Sequence, residues 1–177
     1  IQDCSITDNK ISAVSSKFNY VYGGGIYNSS ETNTMLGTMN VTGNTATIGS
    51  DSSDNNMYFS SSQTALSDEN GKTLSTDSKI GVTTSTAPVK GTNVQFATSA
   101  TEEMKACFKS DKSDYYVGYK NGGLYLCLCY SELYYKNNNF YTNSSCSAST
   151  ATGITKLSDA VDYVASTCKI YMMEQYA

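Results

Sequence analysis

The strongest constraint on the fold is a short pattern that occurs twice. The string CSITDN starts at Cys4 and the string MNVTGN starts at Met39, and both read apolar, any residue, apolar, Thr, any residue, Asn. Alternation along a strand places Cys4 with Ile6, and Met39 with Val41, on one face. One such strand is too short to bury its apolar row alone, so copies must stack. The repeat predicts parallel coils in which these four side chains face one interior.

Turn residues separate the predicted strands. Asn9 and Asn44 end the two repeats, and glycines at 23–25 precede the apolar residue Ile26. Asparagine tolerates left-handed backbone and hydrogen-bonds its neighbours, which suits a turn. Glycine suits a tight corner. We therefore expect Asn9 and Asn44 at turns and residues 23–25 at a corner of the coil.

Composition favours the same class. Only 16% of residues are charged, and the chain has 15 Tyr and no Trp. Runs of Ser and Thr are poor in helices and tolerable in strands and turns. No apolar stretch approaches the ~20 residues of a membrane-spanning helix, so we expect no membrane insertion. The chain starts without a basic or apolar leader, and we expect any signal peptide to lie outside it.

The strings GGGIYN and NVTGNTA carry a family resemblance. They resemble the GGA(I/L/V) and FxxN repeats of polymorphic outer membrane proteins and related autotransporter-type bacterial surface proteins, within the pectin-lyase-like β-helix group. The resemblance covers residues 1–82, with GGG in place of GGA and VTGN in place of FxxN. It implies a right-handed parallel β-helix and a secreted or cell-surface protein.

We expect a mainly β chain, a solenoid with a β-hairpin cap and a short C-terminal helix-strand unit. The predicted parts are β-helix terminal coils (1–86), a capping hairpin segment (87–135), a polar linker (136–154) and a helix plus strand (155–177). Asn121-Gly122 lies between alternating apolar runs, which is the strongest short signal for a hairpin. This hairpin resembles a cap found behind β-helices in surface proteins of low-GC gut bacteria.

The C-terminal part has an amphipathic pattern followed by an apolar stretch. Leu157, Ala160, Val161 and Val164 recur at helical spacing, and a strand is expected at 169–176. This order resembles the entry of a further β-helix module. We predict that the strand pairs with a β-helix edge in a second copy or in flanking sequence. The competing outcome is a strand folded back antiparallel on residues 123–130.

The 6 cysteines have an even count, which suits an oxidising compartment. Buried free thiols and a metal site are the alternatives, and the absence of His disfavours metal. Cys4 lies on the predicted core row, and we predict that it is a free buried thiol. We expect at least one disulfide among the remaining residues Cys107, Cys127, Cys129, Cys146 and Cys168.

Two other sets of polar residues are candidate sites. Asp51, Asp54 and Asn55 offer the oxygen ligands that Ca²⁺ prefers, although these residue types are also ordinary in solvated turns. Asn-x-Ser/Thr sequons at Asn28, Asn40 and Asn143 are glycosylation candidates in a secreted protein and are also expected by chance in an Asn- and Ser-rich chain. No cofactor beyond this weak Ca²⁺ candidate is expected.

Tyrosines cluster in one region of the sequence. Their amphipathic rings could form an adhesive or sugar-stacking face, or could pair across strands to cover a hairpin with little core. The cluster comprises Tyr115, Tyr116, Tyr119, Tyr125, Tyr130, Tyr134, Tyr135 and Tyr141.

The remaining charges exclude some functions. The net charge is −4 and all 12 basic residues are scattered Lys, so we expect no nucleic-acid partner. There is no Arg or His, and we expect the acidic residues to lie in turns, away from the strand rows, so no catalytic carboxylate pair is predicted.

These observations favour a non-catalytic extracellular scaffold. We expect a structural or adhesive module of a tandem-repeat surface protein, with an unidentified glycan or protein ligand. One alternative is a subunit of an extracellular fibre, assembled by β-strand pairing between copies. The other is a fragment of a carbohydrate-active β-helix enzyme.

Overall fold

The computed structural model of the chain describes residues 1–13, 21–29, 33–61, 63–89, 92–148, 160 and 164–173. A 3₁₀ helix spans Glu103–Cys107. The chain divides into two compact units. The first unit comprises Ile1–Lys112 and Val117–Cys127, and the second comprises Ser113–Tyr116 and Leu128–Ala177. The strands, in chain order, are β1 (Gln2–Thr7), β2 (Lys10–Ala13), β3 (Ile26–Asn28), β4 (Asn33–Thr34), β5 (Leu36–Thr42), β6 (Thr45–Ile48), β7 (Asp51–Asp54), β8 (Met57–Phe59), β9 (Thr64–Ala65), β10 (Lys79–Thr84), β11 (Val94–Thr98), β12 (Phe108–Ser110), β13 (Tyr115–Lys120), β14 (Gly123–Leu128), β15 (Tyr130–Lys136), β16 (Asn139–Tyr141) and β17 (Val164–Met172).

The two sequence repeats stack in register in the first unit. Strand β1 pairs parallel with β5, and Cys4 lies beside Met39 while Ile6 lies beside Val41. Partners in a parallel ladder share a face, so the predicted interior row is confirmed. Met39 and Val41 are fully buried, whereas Cys4 and Ile6 are half-buried because β1 is the edge strand.

Strand β10 joins strands of successive coils into one β-sheet, which forms the first wall of the solenoid. Its first residues pair with β5, and its last three residues pair with β8, which in turn pairs with β3. On its other edge β10 pairs with β12, again in parallel. Parallel stacking of successive coils is the geometry of a β-solenoid, and the predicted mainly β solenoid class is confirmed.

A second wall ends in the predicted hairpin. Strands β4, β9 and β11 run parallel, and β14 closes this ladder by pairing antiparallel with β11. Strands β13 and β14 are joined at Asn121 and Gly122, whose φ angles are 49° and 77°. Two successive positive φ angles define the tight turn that Asn-Gly favours. The hairpin thus covers the last parallel strand of this wall.

Aromatic rings fill the space between the two walls. Phe96 lies with its ring centre 5.5 Å from that of Phe59 and 5.4 Å from that of Phe108. Met57, Ile80 and other apolar side chains of both walls are also buried there. Burial of such side chains is the main favourable contribution to folding.

A third, smaller sheet carries the loop that separates β5 from β8. Strand β2 pairs parallel with β6, and β6 pairs antiparallel with β7. Residues 23–25 bend back just before β3, as predicted for a corner. Gly24 and Gly25 lie so close to backbone oxygens of Thr45, Asn55 and Asn56 that a Cβ atom would clash there.

The second unit contains a hairpin where a linker was predicted. Asn137 and Asn138 have φ angles of 50° and 57° and join β15 to β16. The linker prediction failed for residues 139–141 because the polar composition concealed Phe140, which is buried against Leu133 and Ala160. The predicted helix lies outside the described residues up to residue 163, apart from Ala160, and the helical assignment is wrong for Val164, which begins strand β17.

The C-terminal strand has an intrachain partner. Strand β17 pairs parallel with β15, with Leu133 beside Ile170 and Tyr134 beside Tyr171. The prediction of a partner in a second copy or in flanking sequence is therefore wrong for this edge of the strand. The antiparallel alternative on residues 123–130 is also not formed. Ile170 packs on the small core around Leu133, which explains the choice of partner.

Candidate functional site

A column of polar side chains links successive coils of the first unit. Asn44 is fully buried, and its Oδ1 accepts hydrogen bonds from the backbone N–H of Asn9 (3.0 Å) and from Asn9 Nδ2 (2.9 Å). Its Nδ2 donates to the carbonyl oxygens of Ile6 (2.8 Å) and Thr42 (3.1 Å). A buried amide satisfied on both sides rigidifies its surroundings. The turn asparagines therefore hydrogen-bond one coil to the next, in addition to marking the ends of the strands.

The left-handed positions expected at these turns fall one residue earlier. Asp8 has a φ of 58° and Gly43, the equivalent residue of the next coil, has a φ of 70°. The space above Gly43 is occupied by the Asp8 carboxylate, so a Cβ atom at this position would clash. Asn9 and Asn44 thus contribute through their side chains, and the backbone reversal is made by the residue before each.

The column continues through Asn56 to a carboxylate that the sequence did not single out. Asn56 Oδ1 accepts a 2.8 Å hydrogen bond from the backbone N–H of Asn44. The Asp111 carboxylate accepts hydrogen bonds from the Asn56 N–H (2.9 Å), from Asn56 Nδ2 (2.6 Å) and from Thr83 Oγ1 (3.0 Å). Burial raises the pKa of Asp111, the hydrogen bonds from Asn56 and Thr83 oppose that shift, and the nearby Asp54 adds to it.

A cleft of about 320 Å³ opens beside Asp111 on the outer face of the wall. Gly81 lies among its lining residues, and Asp54, Lys79 and Lys109 supply exposed charges there. The expectation that acidic residues avoid strands is wrong for four of them: Asp3 on β1, Asp51 and Asp54 on β7, and Glu132 on β15. Hydroxyl, amino and carboxylate groups in one cleft can hydrogen-bond a polar, polyhydroxylated ligand.

The Ca²⁺ candidates are not brought together. Asp51 and Asp54 lie on β7 and not in a turn, and three residues of separation puts them on opposite faces of the strand. The Oδ1 atom of the buried Asn55 accepts a 2.9 Å hydrogen bond from the N–H of Gly23. Among the described residues, no group of three or more His, Cys, Asp or Glu side chains is placed to hold a metal ion.

The predicted disulfide is not formed: none of the six cysteines, which all lie among the described residues, is bridged to another. Cys107 donates to the carbonyl of Ser75, Cys129 to that of Ser113 and Cys168 to that of Lys169, so each thiol is directed to backbone. Burial raises the pKa of Cys107 and raises that of Cys129 to about 11. Cys4 is free as predicted, but half-buried.

The three sequons differ in accessibility. Asn28 is 2% exposed and accepts a hydrogen bond from Asn33, so its amide cannot be glycosylated in the folded chain. Asn40 is half-buried and accepts a 3.0 Å hydrogen bond from Thr42. Asn143 Oδ1 accepts from the N–H groups of Ser147 and Ala148.

Part of the tyrosine cluster forms a row on the sheet of the second unit. Tyr134 lies in register between Tyr141 and Tyr171, and the rings of Tyr134 and Tyr171 stack with centres 4.9 Å apart and planes 13° apart. Both hydroxyl groups approach Glu132, at 3.4 and 3.5 Å. Because the Tyr134 and Tyr171 rings cover each other's faces, this arrangement fits cross-strand pairing better than a sugar-stacking platform.

A second aromatic group was missed by the sequence reasoning. Tyr58 lies beside Tyr27 in the parallel ladder, and its ring centre is 4.1 Å from that of Tyr22 and 5.7 Å from that of Tyr27. Burial raises the pKa of the Tyr58 hydroxyl, and Tyr22 and Tyr27 raise it further. The shared register of two coils was the only signal that could have placed these rings together.

Among the described residues, no helix is long and apolar enough to cross a membrane. No protein-family model, no curated protein and no solved structure matches this chain.

Proposed function

We propose that this chain is a non-catalytic scaffold module of a secreted or cell-surface protein, of the polymorphic outer membrane or autotransporter type. Its coils would hold the parent protein rigid, and its outer surfaces would meet a glycan or protein ligand. The observation that supports this role most is the polar column that runs from Asn9 through Asn44 and Asn56 to Asp111.

The polar column connects neighbouring coils through hydrogen bonds. Asn44 bridges the first two coils, and Asp111, the residue after β12, accepts hydrogen bonds from Asn56 and Thr83. Three donors already occupy the two Asp111 oxygens, so this carboxylate acts as a structural acceptor. Such cross-coil links resist separation of neighbouring coils, which is the property that a rod-like scaffold needs.

Localisation rests on the repeat resemblance alone. Because the cysteines are free, they give no support for an oxidising compartment. The test is labelling of intact source cells and of their culture medium with antibodies against the purified chain, compared with permeabilised cells. We expect signal without permeabilisation, and signal only after permeabilisation would contradict the proposal.

The cleft beside Gly81 favours a second candidate, a carbohydrate-active module. Asp54 and Asp111 line one cleft, and two carboxylates are the minimum for glycoside hydrolysis. The chain should be incubated with a panel of neutral and acidic polysaccharides and assayed for new reducing ends and unsaturated products. Activity abolished by Asp54→Asn and retained by the exposed control Asp114→Asn would favour the enzyme over the scaffold.

The fibre alternative has lost its main argument. It depended on an unpaired C-terminal strand, as did the expectation that this strand enters a further β-helix module, and β17 is paired with β15 of the same chain.

A further inference from the structure

Strand β17 has a second edge that pairs with no described residue. The sheet order is β16-β15-β17, so β17 is an edge strand of its sheet. Tyr171, Met172 and Met173 are 39%, 54% and 40% exposed along it. An edge that combines open backbone groups with exposed apolar side chains is a template for another strand.

The backbone groups on this edge can be assigned. Met173 donates its N–H to the carbonyl of Tyr135 at 3.0 Å, so residue 173 directs its backbone groups toward β15. Alternate residues of a strand direct theirs to opposite edges, so Tyr171 also faces β15. Ile170 and Met172 therefore present their N–H and C=O groups on the outer edge.

We propose that β17 pairs antiparallel with β17 of a second copy of this chain, about a two-fold axis at Tyr171. Ile170 of each copy then exchanges backbone hydrogen bonds with Met172 of the other. Tyr171 becomes a non-hydrogen-bonded pair with its own copy, the type of pair in which side chains are closest. The contact is isologous and closed, the commonest symmetry of soluble oligomers, and it does not lead to a fibre.

The side chains on both faces fit this register. On one face, Tyr134 and Tyr171 stack within each copy. The two Tyr171 rings then lie side by side across the two-fold axis, so the two stacked pairs form one row. Lys169 lies opposite Met173, so the two lysines of the dimer do not oppose each other. On the other face, Met172 lies opposite Ile170, and this extends the apolar cluster that Ile170 already joins.

The first test is the association state of the full chain, measured by sedimentation velocity across the micromolar range. We expect a reversible monomer–dimer equilibrium, and a chain that stays monomeric throughout would overturn the proposal. Met172→Pro removes an outward N–H and leaves the bonds to β15, and an edge strand tolerates proline at such a position. We expect its dimer dissociation constant to rise about tenfold or more, while Met172→Ala, which keeps the N–H, changes it less.

A charge pair at the exposed Met173 tests the register and remains informative if Met172→Pro does not fold. Met173→Glu places a carboxylate opposite Lys169 of the other copy and should tighten the dimer, whereas Met173→Lys should weaken it. The difference should shrink as salt is added. Equal dissociation constants for the two variants would overturn the two-fold axis at Tyr171. Circular dichroism checks that both variants keep the fold.

Discussion

Asn56 donates a 2.6 Å hydrogen bond from its side-chain amide to the carboxylate of Asp111, which follows it by 55 residues. The same carboxylate accepts from the Asn56 backbone at 2.9 Å, so one side chain satisfies two donors of one residue. This contact links the residue just before β8 to the residue just after β12. The stability of the first unit should depend on it.

Removing the carboxylate should destabilise the first unit. In Asp111→Ala, the buried donors of Asn56 and the Thr83 hydroxyl lose their acceptor, and we expect a loss of about 2–4 kcal/mol in the free energy of unfolding. Asp77→Ala, at an exposed aspartate, should change it by less than about 0.5 kcal/mol. Urea denaturation of the three proteins measures both effects. Equal stabilities would mean that the contact contributes nothing.

The ionisation of Asp111 should also appear in the pH dependence of stability. Burial raises its pKa in the folded chain, so the folded state holds this proton more tightly than the unfolded state. The resulting contribution to stability is fully present below the unfolded pKa of about 3.9 and is lost as pH rises through the folded pKa.

The matched measurement compares wild type with Asp111→Asn across this acidic range. We expect the stability of wild type relative to the variant to increase as pH falls toward the unfolded pKa. A difference that stays constant with pH would show that the Asp111 pKa is not raised.

Gly81 should not accept a side chain. A Cβ atom at this position would overlap Asn56 Nδ2 and Asp111 Oδ1, so Gly81→Ala must push this hydrogen bond apart. We expect a cost of about 1–3 kcal/mol, as for other overpacked sites. Lys79→Ala, two residues earlier on the same strand, should cost less than about 0.5 kcal/mol because Lys79 is exposed. Thermal unfolding of the two variants tests the prediction: Gly81→Ala should have a lower midpoint than Lys79→Ala, and the reverse order would contradict it.

The six thiols should fall into two classes of reactivity. Cys107, Cys127 and Cys129 are buried, and burial raises the pKa of Cys129 to about 11, which disfavours the reactive thiolate. We expect iodoacetamide to modify Cys4, Cys146 and Cys168 first in the native chain, and the buried three only after denaturation. Peptide mass spectrometry gives the order, and a disulfide-linked peptide from native material would contradict the free thiols.

The sequence by itself determined the stacking of the first two coils. Alternation has a period of two residues, so a slip by one residue would turn an apolar row out of the interior, and the structure has the register in which the two repeats align. The Asn121-Gly122 hairpin was equally predictable because two consecutive positive φ angles are cheap only for such residues. Each of these two signals lies within a short stretch of sequence, where residue alternation or backbone preference can be recognised directly.

Only the tertiary structure decided where the polar side chains meet. Asp111 follows a short strand with no distinguishing pattern, and its role depends on the pairing of β12 with β10 and of β10 with β8. The intrachain partner of β17 likewise depends on a small core around Leu133 and Phe140, two residues that lie on either side of the turn at Asn137. Contacts between distant residues are specified by the sum of many weak burial and pairing energies, and no single stretch of sequence contains that sum.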